Sequence, residues 1–211
     1  MSNETINTIA QLVTIVGGVG AAIGFVLGFR QYRKGQNWQR AQIVISLIDS
    51  FEEDKQIELA CTMLDWDERE IALPGKESTR VLQFKNEMLV SALRVPEMDI
   101  ASFGQKSAND EKGAFTEEES IIRDAFDAFF DFFHKLYALQ EGGLLSFSDY
   151  VYFYYWLELI RDIGNYKKDQ RIKSALDNYI DSYRFIGIKE LLRQYQKKPD
   201  IIPIMKNDET L

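Results

Sequence analysis

Residues Ile6–Phe29 read INTIAQLVTIVGGVGAAIGFVLGF, and no charge interrupts the 25 residues between Glu4 and Arg30. As a helix rising 1.5 Å per residue, this run reaches roughly 36 Å, enough to cross a hydrocarbon core of about 30 Å. A cleavable signal peptide fits poorly: no Lys or Arg precedes the run, it is too long, and no A-x-A-like site follows. Arg30, Arg33, Lys34 and Arg40 lie just beyond its end, while only Glu4 and the terminal amine flank its start. The positive-inside rule then puts the N-terminus outside a cell membrane and the rest in the cytoplasm.

Spaced at 100° per residue, the expected span divides into three arcs. Asn7, Gln11, Thr14, Gly18 and Ala21 share one, continued by Phe25 and Phe29. Gly17, Gly20, Gly24 and Gly28 form a small-residue ladder on the second, and branched aliphatics fill the third. The arrangement suits a homo-oligomer of four or more copies: aliphatics to lipid, glycines to the neighbouring helix, the polar arc to a shared axis. On this reading Asn7, Gln11, Thr14, Gly18, Ala21, Phe25 and Phe29 line a pore, with the two phenylalanines as its gate. The same ladder alone also fits a simple dimer, and both phenylalanines would be at home in lipid.

Beyond the span, 45% apolar content and 27% charge describe a folded domain and not a tail. The net charge of −8 is uneven: residues 49–127 hold 20 acidic and 9 basic side chains, whereas 161–198 hold 10 basic and 5 acidic. The single cysteine, Cys61, allows no internal disulfide. The expected division is 1–5 outside, 6–29 in the membrane, 30–53 a juxtamembrane helix, 54–198 a cytosolic domain and 199–211 a polar tail. The fold class is all-α.

Helices are expected near Lys55–Asp65, Ser78–Leu93 (Val81, Phe84, Met88 and Ala92 on one stripe), Thr116–Gln140, from Ser146 to Gly164, near Asp169–Tyr183 and over Gly187–Gln196. No strand is expected. Thr116 with Glu119, and Ser146 with Asp149, have capping-box spacing. Gly142-Gly143 should stop the long aromatic helix, and residues 96–115 form the one long loop.

Chemistry is sparse. His134 is the only histidine, so His/Cys metal clusters are excluded by counting. Gly75-Lys76-Glu77-Ser78 fails as a phosphate loop, because Glu70 replaces the first glycine and Glu77 follows the lysine. No catalytic, metal or cofactor residues are assigned. Lys167, Lys168, Arg171, Lys173 and Arg184, downstream of the aromatic run Tyr150–Trp156, suit a phosphate-bearing ligand such as a nucleotide or short oligonucleotide. Those cations equally suit an anionic lipid surface, and aromatics in one helix mostly build core.

GFVLGFRQYRKGQNWQRAQ, the segment Ala60–Trp66, RDAFDAFFDFFHKLYALQEGGLL and YFYYWLELIRD together resemble small bacterial single-span membrane proteins with a helical cytoplasmic domain. Within that group the chain is similar to the membrane effectors of anti-phage defence, the Hailong type. The resemblance implies an ion channel in the inner membrane whose state is set by a nucleotide oligomer from a partner nucleotidyltransferase. No ligand residue carries over by position.

Overall fold

The computed structural model describes residues 3–73, 80–95, 115–166 and 170–197, with side chains from residue 18 onward except 19, 21, 22, 73, 80 and 164–166. The chain forms two compact units, Met1–Ser46 and Leu47–Leu211.

The first unit belongs to α1 (Asn3–Glu53), a helix with no break at Gly35. Among the described residues no helix is long and apolar enough to cross a membrane. The sequence-predicted span lies within α1, and all of its first half, with residues 19, 21 and 22, falls outside the residues whose side chains are described.

The second unit is mostly helical, and its elements follow local signals. Asp54 accepts hydrogen bonds from the Gln56 and Ile57 N–H groups (2.8 and 3.2 Å), which starts α2 (Lys55–Asp65). The expected helix over Ser78–Leu93 is corrected. An antiparallel pair, β1 (Glu68–Leu73) and β2 (Arg80–Lys85), precedes a shorter α3 (Asn86–Ala92). Alternation decides it: Phe84 is buried, Leu82 is half-buried, and Val81, Gln83 and Lys85 are exposed. That period of two is a strand's. The register sets Ile71 opposite Leu82 and Arg69 opposite Phe84, so Ile71, Leu82 and Phe84 share the inner face.

α4 (Glu117–Glu141) opens with the expected box: the Glu119 N–H donates to Thr116 Oγ1 (3.1 Å) and the Thr116 N–H to Glu119 Oε2 (3.0 Å). It ends at Gly142, and Gly143 takes φ +69°, where a Cβ would be strained. Ser146 and Asp149 start a 3₁₀ turn (Phe147–Phe153) before α5 (Tyr154–Tyr166), which runs past Gly164. α6 (Gln170–Ser182) and α7 (Ile186–Gln196) follow.

Aromatic rings make the core. Phe51, in the last turn of α1, sits 4.8 Å from Phe132 and 5.2 Å from Phe153, ring centre to ring centre. Phe126, Phe129, Phe130, Phe133 and Leu136 are buried from α4, while Tyr137 is half-buried. Gly187 lets α7 lie directly on α4. A Cβ there would stand 2.5 Å from the His134 Cα.

Candidate functional site

In the first unit, the side chains available to act are those that α1 leaves uncovered. Phe25 is 75% exposed and Phe29 51%, with Ile23, Val26 and Leu27 exposed around them. Four residues apart, the two phenylalanines are neighbours on one helix face, with ring centres 6.3 Å apart and planes 12° from parallel. The Arg33 guanidinium lies 5.7 Å from the centre of the Phe29 ring. A Cβ placed on Gly18, Gly20, Gly24 or Gly28 would meet nothing within 4 Å. Those glycines therefore present bare backbone to whatever packs there. Asn7, Gln11, Thr14, Gly17 and Ala21 lie outside the residues whose side chains are described.

The basic group in the second unit is spread along its helices. Arg171 is exposed in the first turn of α6 and Arg184 follows the helix end, 13 residues on. That separation is roughly 20 Å at 1.5 Å per residue, so the two do not share one phosphate. Arg184 holds φ 57°, which turns the chain from α6 into α7. Lys173 pairs with Asp177 on its own helix, Lys189 with Asp181 (2.6 Å) and Arg193 with Glu190 (2.5 Å). Lys167 and Lys168 lie outside the described residues.

The aromatic run has mostly gone to the core. Tyr150 is buried and donates to the Leu136 carbonyl, and Tyr154 donates to the Phe147 carbonyl (2.7 Å each). Tyr155 donates to Asp65 (2.5 Å), and the Trp156 ring packs 6.2 Å from Phe51. Val151 and Tyr152 are exposed, and the Tyr152 hydroxyl donates to Glu52.

Arg171 borders a groove of about 570 Å³ between α3 and α6, with Val90, Leu93, Arg94, Ser174 and Asn178. Arg94 is committed to Glu119 (2.5 Å) and to the Ser91 carbonyl (2.7 Å). Burial alone would raise the Glu119 carboxyl. Hydrogen bonds from Arg94, Ser91 and the Thr116 N–H overcome that and hold it at about 2.

Two further features escaped sequence reading. A groove of about 500 Å³ is lined by Asp54, Asp124, Asp127, Asp131 and Lys135 over Ile57 and Phe132. Burial raises the Asp127 carboxyl even though the Tyr179 hydroxyl donates to it at 2.6 Å. The i, i+3, i+7 spacing of the three α4 aspartates was the available signal. Among the described residues no three His, Cys, Asp or Glu side chains are placed to hold a metal ion. The second feature is Arg123. It donates to the Ala92 and Arg94 carbonyls (2.8 and 3.1 Å) and to the Tyr183 hydroxyl (2.6 Å). Its guanidinium lies 4.1 Å from the Phe115 ring centre and 4.9 Å from that of Tyr179. This arginine ties α3, α4 and α6 together, and no local motif announced it.

No family model matches the chain, no curated protein matches it, and no solved structure matches it.

Proposed function

We propose that this protein is a homo-oligomeric membrane effector in which residues 6–29 of α1 span the bilayer and line a ligand-regulated ion channel, with residues 30–211 on the cytoplasmic side. The observation that carries the reading is the exposure of Ile23, Phe25, Val26, Leu27 and Phe29 beside glycines whose Cβ positions are open. Leaving five such side chains half or more in water forgoes roughly 1 kcal/mol each, on the order of 5 kcal/mol together. Lipid recovers that energy for Ile23, Val26 and Leu27, and a neighbouring helix meets the glycine ladder. Phe25 and Phe29 recover theirs against the same rings of neighbouring copies around the shared axis. The uncharged run Ile6–Phe29 and the cations that follow it support the same reading.

The ligand in this proposal is anionic, with Lys167, Lys168 and Arg171 as its contacts. Control by a nucleotide or oligonucleotide from a partner nucleotidyltransferase, and a role in anti-phage defence, rest on the resemblance to the Hailong-type effectors. The test is ion flux from liposomes reconstituted with the purified full chain. Flux that changes on adding short oligonucleotides supports the proposal. A membrane-inserted protein that conducts nothing, with and without oligonucleotides, overturns it in favour of a tethered scaffold.

A further inference from the structure

α1 carries exposed apolar side chains well past the segment that lipid would cover. Trp38 is 63% exposed and Ile45 58%. They follow Phe29, the last residue of the uncharged run, by nine and sixteen positions. In an unbroken helix that places them roughly 14 and 24 Å beyond the end of the run. The headgroup layer is only about 5–8 Å deep on each side of the hydrocarbon core. An aromatic-belt role therefore does not reach Trp38 in an upright helix, and it leaves Ile45 in water.

The positions of these two residues around the helix are also specific. At 100° per residue, Gly24, Gly28, Gly35, Trp38, Gln42 and Ile45 all fall within about 60° of one line along α1. The spacing along that line runs 4, 7, 3, 4 and 3 residues, with the Gln31 position completing the gap. This is the seven-residue repeat of helices that pack along one another. α1 is continuous through Gly35, and a Cβ at Gly24, Gly28 or Gly35 would meet nothing within 4 Å.

We infer that the contact between neighbouring copies continues past the membrane as a parallel helix–helix seam, with Trp38 and Ile45 as its apolar knobs. This rests on the reading of α1 as a self-associating span. The occupant is a second copy of this chain. Parallel copies joined at Gly24 and Gly28 bring the same heights of α1 side by side over the next four turns. Trp38 needs a hole, and the neighbour's Gly35, one turn nearer the membrane, supplies one. Gln42 faces its own counterpart across the seam and fixes the register, as a single polar residue does in such interfaces. A rotation of the helices about this seam would reach Phe29 directly, because no break separates them.

The test is single-cysteine cross-linking in membranes, with the full chain in a Cys61→Ser background. Gln42→Cys lies on the seam, and Asn37→Cys lies about 140° around the helix as its control. The same preparations are solubilised and their particle mass is measured by light scattering. Gln42→Cys should link copies into covalent dimers while Asn37→Cys does not, and adding Ile45→Asp should cut the Gln42 product by more than half. An oligomeric particle in which Gln42→Cys fails to link, or links no better than Asn37→Cys, overturns the seam and leaves the assembly standing. A monomeric particle overturns both.

Discussion

Gly187→Ala is the substitution whose effect the structure sizes most closely. The added methyl would sit 2.5 Å from the His134 Cα, 3.0 Å from its Nδ1 and 3.1 Å from its Cβ. The imidazole is exposed and can swing away, but the Cα belongs to the backbone of α4. Ordinary carbon contacts fall near 3.5–4.0 Å, so α7 and α4 must part by about 1 Å where they now touch. That movement loosens Ile188, Leu191 and Tyr195, which α7 buries. Overpacking of this kind costs up to about 3 kcal/mol, and alanine's better helix propensity returns about 1. The net loss of about 2 kcal/mol lowers Tm by roughly 4–8 °C for a chain of this size. Thermal melts of the full chain in detergent, followed by far-UV circular dichroism, measure it. A Tm within about 1 °C of the parent, or higher, would refute the account of how α4 and α7 meet.

Four other changes probe separate parts of the account. Glu119→Gln should flatten the acid limb of stability. The carboxyl's value is lower folded than unfolded, so its contribution is complete above about pH 5 and is lost as pH falls toward about 2. With solvent screening of the partly exposed Arg94, about 1 kcal/mol is at stake, and an unchanged acid midpoint would refute it. Arg123→Ala orphans the Ala92 and Arg94 carbonyls and removes three ring contacts, a loss of about 2–3 kcal/mol by urea titration. A midpoint like the parent's would show that α3 and α6 are held by other means. Gly24→Ile should weaken or resize the assembly by putting a branched side chain where two backbones approach, and an identical cross-linking ladder would discount the glycine face. Phe29→Ala should leave cells depolarised without any infection signal; normal resting potential with assembly intact would end the gate assignment.

Much of the second unit was legible because its signals are local. Thr116 and Glu119 sit three apart before an aromatic run, and both bonds of the box form as that spacing implies. α2 begins and ends where its pattern places it, and α6 within a residue at each end. The hairpin was missed because Val81, Phe84, Met88 and Ala92 also satisfy helical spacing. The alternation of exposed Val81, Gln83 and Lys85 with half-buried Leu82 and buried Phe84 distinguishes the periods, and burial is not written in sequence. The ion pairs of the basic helices were hidden from sequence in a similar way. Lys189 meets Asp181 only because Arg184 adopts a positive φ and folds α7 back on α6, a tertiary event. The tyrosines of the 150–156 run show the same limit. Their hydroxyls find the Leu136 and Phe147 carbonyls and Asp65, which turns a stacking platform into core. For α1 the sequence carried more than the described side chains do, since its charge asymmetry and uninterrupted apolar run span residues on both sides of that limit.

The central claim is that α1 exists to bring several copies of this chain together in a membrane. Its most direct measurement is the mass of the full-length protein extracted from cell membranes into lipid nanodiscs. The account predicts membrane-extracted particles of four or more chains, reduced in size by Gly24→Ile. A protein recovered without membrane extraction, or a monomer or dimer in the discs, would contradict it.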